Sequence, residues 1–191
     1  MAFLLEIRLH GRGGQGAVTA ANLLAVAALK SGNKDAQASP FFGAERRGAP
    51  VKAFARISSE EINLRSQIYN PDLVIVLGQH LLDLVDVTEG LKKGGTLLIN
   101  TKKRPAEIVS YFPNTIRVAT VDATGLALKY EIKVGGIPVV NTAILGAIPK
   151  VTSAIKIEKI IEVIKGRFPG ESGDKNAKAA RDAFGMTEVS P

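Results

Sequence analysis

Cysteine is absent from this sequence of 191 residues, and its absence excludes several kinds of chemistry. Without cysteine the chain cannot form a disulfide, hold an iron–sulfur cluster through thiolates or use a cysteine nucleophile. Any electron transfer linked to this protein must therefore take place on another chain.

Aromatic residues are also few, at 5% of the chain, although 46% of the residues are hydrophobic. The core must therefore be built mainly from alanine, valine, isoleucine and leucine, as in parallel sheets and the helices that cover them. This composition favours an α/β fold over a β-sandwich. A chain of this length is expected to form a single domain over residues 1–191.

Long apolar runs are missing as well. No stretch approaches the ~20 apolar residues that are needed to cross a bilayer. Glu6 and Arg8 interrupt the first apolar run, so it lacks the continuous core of a signal peptide. We therefore expect a cytoplasmic protein that does not contact a membrane.

The chain carries a formal net charge of +7, but its positive residues are scattered. The one compact run, Lys-Lys-Arg over residues 102–104, precedes Pro105 and is typical of a solvated turn. No basic helix interleaved with aromatic residues is present, so the charge does not predict nucleic-acid binding. A phosphate-bearing ligand or an acidic partner subunit explains it better.

The chain opens with a strand, a glycine-rich turn and a helix. Leu5, Ile7 and Leu9 alternate with polar residues, which is the two-residue period of a strand. The sequence Gly-Arg-Gly-Gly-Gln-Gly follows over residues 11–16. Apolar residues then recur at helical spacing until Gly32, a typical helix stop. This is a Rossmann-like opening βα unit.

Strand and helix patterns continue to alternate along the chain. The predicted strands cover residues 51–57, 73–77, 96–99 and 116–121, and the predicted helices cover 81–87, 141–148 and 157–168, with a short one around Ala177, Ala180 and Phe184. Asp122 and Asn141 are predicted helix caps, and Pro149 a helix stop. This alternation predicts a doubly wound, mostly parallel sheet flanked by helices.

The glycine turn alone does not identify a ligand. Gly11, Gly13 and Gly16 fit the dinucleotide-binding pattern, but that pattern is weak by itself. NAD binding also needs an acidic residue at the end of the second strand, and Asp35 lies at the beginning of the next segment instead. His10 and His80 have no neighbour that completes a catalytic group. A free-standing nucleotide-dependent oxidoreductase is therefore disfavoured.

Four segments carry a resemblance to a known family. The glycine turn at 11–16 is followed by Phe-Gly-Ala-Glu-Arg-Arg-Gly-Ala-Pro-Val at 42–51, and this pair resembles the signature of the γ subunit of 2-oxoacid:ferredoxin oxidoreductases. Asn-Pro-Asp at 70–72 and Asn-Thr-Ala-Ile-Leu-Gly at 141–146 are similar to the same family. Lys-Asn-Ala at 175–177 also fits, so the resemblance covers nearly the whole chain.

The resemblance implies a subunit of an oxygen-sensitive complex. In this family, other chains (α, β and δ, or their fused equivalents) hold thiamine diphosphate, Mg²⁺ and the [4Fe–4S] clusters. The complex converts a 2-oxoacid and CoA into acyl-CoA and CO2 and reduces ferredoxin. The γ chain is expected to shape the complex and help dock CoA without catalytic residues of its own. Pyruvate is the favoured substrate, and branched-chain 2-oxoacid, 2-oxoglutarate and indolepyruvate enzymes remain alternatives.

The expected CoA-binding residues belong to two glycine-rich segments. Arginine suits CoA phosphates because its planar fork donates two charge-assisted hydrogen bonds. The candidates are Arg46 and Arg47 with Gly43 and Gly48 beside them, and Arg12, Gly13, Gly14 and Gly16 in the glycine turn. The same arginines could instead contact a partner subunit, which would make the chain a purely structural adaptor. For the glycine turn, tight packing is the favoured interpretation over phosphate binding.

Overall fold

The computed structural model describes residues 2–41 and 49–191. Nine strands lie within these ranges: β1 Leu4–Arg12, β2 Asp35–Pro40, β3 Pro50–Ser58, β4 Leu73–Val76, β5 Thr96–Asn100, β6 Arg117–Val121, β7 Lys133–Val134, β8 Ile137–Pro138 and β9 Glu188–Val189. Seven of them form one sheet in the order β2-β3-β1-β4-β5-β6-β9, and β7 pairs with β8 in a separate hairpin.

The centre of the sheet is parallel, with β4 between β1 and β5, and β6 beyond β5. Strand β3 runs antiparallel to both β1 and β2, and the short β9 runs antiparallel to β6. Strands β1, β2, β4, β5 and β6 therefore share one direction. The predicted α/β fold with a mostly parallel sheet is confirmed.

Seven α-helices lie in the described part of the chain: α1 Ala17–Lys30, α2 Pro105–Ile108, α3 Ala123–Lys129, α4 Asn141–Leu145, α5 Ile148–Val151, α6 Ile157–Arg167 and α7 Glu171–Met186. All but α2 contribute to the large core on one face of the sheet. Many of the core residues on these helices are alanines, which lets helices and sheet approach closely. Among the described residues, none of the helices combines the length and the apolar surface needed to cross a membrane.

The opposite face of the sheet is covered differently along its width. Under β4, β5 and β6 a second apolar core includes Val74, Val76, Leu97 and Ile99. Under β1 and β3 the covering mixes polar groups with Phe54, which is buried and packs edge-on against Phe41. There the Arg56 guanidinium contacts the Glu6 carboxylate at 3.0 Å, and it also donates to the carbonyls of Ser66 and Gln67. This arginine fastens the irregular segment after β3 to the sheet.

Two of the predicted helices differ from the structure. Residues 81–87 were expected to be helical, but a 3-10 helix ends at Asp83. The Asp86 side chain accepts hydrogen bonds from both the backbone and the hydroxyl of Thr88, a local pattern that competes with a helix. The predicted helix at 141–148 is divided into α4 and α5. Pro149 lies in the first turn of α5, where a missing N–H costs nothing, so it does not stop a helix.

The predicted caps had opposite outcomes. Asp122 accepts a hydrogen bond from the Gly125 amide at 2.7 Å and caps α3, as expected. Asn141 is not a cap, because α4 begins with Val140 at the capping position and the Asn141 side chain accepts from the next amide, that of Thr142. The amphipathic helix predicted at 157–168 is confirmed by α6. The helix predicted in the tail is confirmed but is longer, with 16 residues.

Candidate functional site

The glycine turn is held at the edge of the sheet where β1 ends. Strand β1 continues through Arg12, which pairs with Pro50 of β3. The Gly13 amide then donates to the Ala49 carbonyl at 2.9 Å. Gly14 and Gly16 have φ angles of 91° and 80°, which non-glycine residues rarely adopt. These two glycines therefore allow the chain to turn directly from β1 into α1.

The turn leaves the N-terminus of α1 without a cap. Gly16 occupies the capping position and has no side chain to accept from the first amides, and the first turn contains no acidic residue. Within the described residues, the amides of Gly14 and Gly16 have no hydrogen-bond acceptor, and the first helical amide with one is that of Ala20. Free amides and the helix dipole make this end attractive to an anion.

A cleft of about 540 Å³ opens beside this helix end. Its walls come from five parts of the chain: the glycine turn with α1, the β7–β8 hairpin, the start of α4, the end of α6 and the start of α7. The lining residues include Gly14, Gly16, Thr19, Lys133, Asn141, Arg167, Glu171, Ser172, Lys175 and Asn176. Three segments that carry the family resemblance, at 11–16, 141–146 and 175–177, therefore meet in this cleft.

Hydrogen bonds fix the deep wall of the cleft. The buried Thr142 hydroxyl donates to Asn176 Oδ1 at 2.5 Å, and Asn176 Nδ2 donates to the Ser172 carbonyl at 2.8 Å. These contacts join α4 to the first two turns of α7. At the mouth, Lys175 pairs with Glu171 at 2.9 Å and with Glu131 at 3.3 Å. The hydrogen bond to Glu171 is the main cause that raises the Lys175 pKa, and the hydrogen bond to Glu131 is the second.

A second cleft of about 380 Å³ lies beyond the carboxyl ends of β1, β4 and β5. Strands β1 and β4 are neighbours whose connections lead to opposite sides of the sheet, and such a switch point is where open α/β sheets usually bind ligands. Arg12, Gln15, His80 and Lys102 line it. Burial lowers the His80 pKa, and the positive charge of Arg12 adds to the effect. The His80 imidazole is therefore mainly neutral at pH 7.

His10 has a structural environment. It is almost fully buried, and its Nε2 accepts a hydrogen bond from Arg8 Nε at 3.0 Å. Arg8 also donates to the carbonyls of Val87 and Glu89. Burial lowers the His10 pKa to about 3, and the charges of Arg8 and Lys52 contribute. His10 is thus a neutral acceptor, and in the described part of the chain no group of three or more metal-ligating side chains is present.

The structure distributes the predicted CoA-binding residues as follows. Gly14 and Gly16 line the larger cleft, Arg12 lines the smaller one, and the Gly13 amide is engaged by Ala49. The remaining candidates lie outside the described residues: Gly43, Arg46, Arg47 and Gly48. The residues on either side of this segment are described, and there the Phe41 amide donates a hydrogen bond to the Lys52 carbonyl.

Sequence reasoning did not select Asn141, Lys175 and Asn176 as site residues. The sequence predicts a helix cap at Asn141 and only a short helix in the tail. A signal was nevertheless present, because each of the three lies in a segment that carries the resemblance. Sequence patterns do not show that α4, α7 and the glycine turn meet, since that depends on tertiary packing.

The family model described as pyruvate ferredoxin/flavodoxin oxidoreductase matches residues 6–186. The chain therefore belongs to this family. Its relatives make the assignment more specific. The pyruvate/ketoisovalerate oxidoreductases common subunit gamma of Thermococcus kodakarensis is 54% identical, over 97% of this chain and 98% of the relative. Pyruvate synthase subunit PorC of Methanothermobacter marburgensis is 52% identical, over 95% and 96% of the two chains.

A solved structure agrees with the sequence relatives. Pyruvate oxidoreductase subunit PORC from Thermotoga maritima superposes with a TM-score of 0.82 at 38% identity, covering 98% of this chain and 99% of that chain. Within the family, the protein is thus a γ-type subunit of a 2-oxoacid:ferredoxin oxidoreductase.

Proposed function

We propose that this chain is the architectural, CoA-docking subunit of a pyruvate:ferredoxin oxidoreductase complex and takes no part in the redox steps. The observation that carries the proposal is the match to γ subunits over nearly the whole chain, in a sequence without cysteine. Reduction of ferredoxin requires iron–sulfur clusters, and this chain has no thiolate with which to ligate one.

The other components of the reaction are assigned to partner chains. The α, β and δ subunits, or fused equivalents, would hold thiamine diphosphate, Mg²⁺ and the [4Fe–4S] clusters. The complete complex would convert pyruvate and CoA to acetyl-CoA and CO2, with the electrons passed to ferredoxin. The isolated γ chain is expected to be inactive.

Pyruvate is proposed as substrate because two kinds of relative act on it by name. One relative is a pyruvate synthase subunit, and another is common to pyruvate and ketoisovalerate oxidoreductases. The second relationship supports a γ chain that does not select the 2-oxoacid side chain. We therefore assign substrate choice to the thiamine-bearing partner, and this chain fits a branched-chain 2-oxoacid enzyme equally well in chemical terms.

CoA docking is assigned to Arg46 and Arg47. Their guanidinium groups can each donate two charge-assisted hydrogen bonds to a phosphate. Gly43 and Gly48 beside them would allow a close approach of backbone to ligand. The bond between the Gly13 amide and the Ala49 carbonyl supports this assignment, since it joins the C-terminal flank of the arginine segment to the glycine turn.

The test is a kinetic comparison in the assembled complex. We expect Arg47→Ala, and Arg46→Ala in parallel, to raise the KM for CoA by roughly tenfold or more, because a hydrogen bond to a charged group is worth about 1.5–3 kcal/mol. The KM for pyruvate should stay the same. Arg65→Ala is the matched control, since Arg65 is exposed on the segment after β3 and forms no ion pair among the described residues.

The outcomes separate docking from a purely structural role. An intact complex whose CoA kinetics are unchanged by both substitutions would contradict CoA docking by these arginines. Dissociation of the complex on mutation would instead assign them to a subunit interface.

A further inference from the structure

A third cleft, of about 380 Å³, opens on the face of the sheet opposite α1. Arg8, Lys52 and Phe54 point to this face, because the residues on either side of each pack in the large core. The other walls come from the irregular segments at residues 67–70 and 89–90. We call this the aromatic cleft, and its lining includes Arg8, Phe41, Lys52, Phe54, Tyr69 and Glu89.

Two cations line the aromatic cleft without a carboxylate partner. Arg8 is only 3% exposed, and neither Arg8 nor Lys52 forms an ion pair with any described residue. The Arg8 guanidinium donates through Nε and Nη2 to uncharged acceptors on His10, Val87 and Glu89. Its Nη1 has no acceptor among the described residues and is reached by solvent. A charge as buried as this one is costly without a counter-ion.

The electrostatic potential in the aromatic cleft is positive. Burial is the main cause that lowers the His10 pKa, and the charges of Arg8 and Lys52 lower it further. Burial also lowers the Arg8 pKa, and the charges of Glu89 and Asp86 oppose that effect only in part. The described acidic residues around the cleft therefore leave its positive charge incompletely balanced.

The walls of the aromatic cleft are apolar and firmly held. The rings of Phe41 and Phe54 meet edge to face, with centroids 6.3 Å apart. Tyr69 stands beside them and is 69% exposed. A methyl group at Gly90 would overlap the Tyr69 carbonyl, so the backbone of these two residues packs closely. Exposed tyrosine and buried arginine in a shaped cleft are typical of the centre of a protein interface.

We propose that the aromatic cleft is the docking site for an acidic segment of a partner subunit. A carboxylate of that segment pairs with Lys52 and with Nη1 of Arg8, and an adjoining apolar side chain packs against Phe41 and Tyr69. Charge complementarity decides the chemistry of the occupant, because the cleft offers two cations and lacks a described counter-ion. The inference rests on the chain being a subunit of a complex and is independent of CoA docking by Arg46 and Arg47.

Lysine acetylation tests whether Lys52 is covered in the complex. The full chain alone and the anaerobically purified complex are treated with the same acetylating reagent, and mass spectrometry quantifies the modification of each lysine. Lys52 is expected to react several-fold more slowly in the complex than in the chain alone. Lys178 is the control, since it is exposed on α7, on the other face of the sheet, and should react equally in both.

Substitutions at Lys52 test whether its charge holds the partner. Lys52→Gln should weaken retention of the chain in the complex about tenfold, because a hydrogen bond between charged groups is lost. Lys52→Arg keeps the charge and should be retained, and Lys178→Gln is the matched neutral substitution. Urea unfolding of each variant chain separates loss of docking from loss of the fold.

Equal reactivity of Lys52 in the chain and in the complex would overturn the proposal, as would a folded Lys52→Gln variant that is retained as tightly as the unmodified chain. Glu45 is the one acidic residue between Phe41 and Lys52 in the sequence. Faster acetylation of Lys52 in an isolated Glu45→Gln chain would assign the counter-ion to this chain instead. Protection of Lys52 in the isolated chain by CoA would assign the cleft to a ligand. Each of these results is separate from the KM for CoA of the arginine variants.

Discussion

Replacing Gly146 by alanine is expected to lower the free energy of unfolding by roughly 3 kcal/mol or more. Gly146 follows α4 directly and packs against α7. A methyl group at this position would overlap the carbonyl of Ala180 and lie 2.8 Å from its Cα. The obstacle is backbone on a long helix, so it cannot move aside as a side-chain end could. Helices α4 and α7 would have to separate, which disturbs the core and the deep wall of the larger cleft.

A matched control for this substitution lies on α6. Gly166 is a helical glycine around which a methyl group would meet nothing within 4 Å. Gly166→Ala should therefore leave the fold unchanged and stabilise it by about 0.5–1 kcal/mol, because alanine loses less backbone entropy on folding. Urea unfolding of the two variants measures both effects. A Gly146→Ala variant as stable as the unmodified protein would contradict the close packing of α4 on α7.

Lowering the pH from 7.5 to 5 is expected to reduce the free energy of unfolding by about 2 kcal/mol through His10 alone. The folded protein keeps His10 neutral because burial lowers its pKa to about 3. The unfolded chain titrates near the ordinary value of about 6.5. At pH values between these two pKa values, His10 is protonated in the unfolded chain but neutral in the folded protein. The free energy of unfolding therefore falls as the pH falls. Protonation in the folded state would also place an imidazolium against the Arg8 guanidinium.

The substitution His10→Gln isolates this effect. Glutamine does not titrate, so the dependence of stability on pH between 7.5 and 5 should become shallower by about 2 kcal/mol over the range. A smaller dependence of the same sign is expected to remain, because the His80 pKa is also lowered. The measurement is urea unfolding at a series of pH values. An unchanged dependence in His10→Gln would show that His10 is not held neutral in the folded state.

The parts of the fold that could be predicted from sequence are those set by local pattern. Alternating residues before the glycine turn identify β1, and the stripe of isoleucines identifies α6. Asp122 was recognised as a cap because an aspartate before a helical pattern accepts from the first amides. Each of these features depends on residues within a few positions of one another.

The features that could not be predicted depend on contacts between distant segments. Pro149 is predicted to stop a helix, but in the structure it lies in the first turn of α5, where proline is tolerated. Asn141 lies beside Gly16 only because α4 and α1 meet at the same edge of the sheet. The residues that line the larger cleft come from segments spread between residue 14 and residue 176. No local sequence pattern indicates that these segments meet.

The central claim, that this chain works as the γ subunit of a CoA-dependent oxidoreductase, is tested most directly by an anaerobic native pull-down of the tagged chain from its own cells. The co-purifying proteins would be identified and assayed for reduction of a viologen dye. The account predicts that thiamine- and cluster-bearing chains are recovered, with reduction that requires both pyruvate and CoA. Recovery of the chain alone and without activity would contradict it.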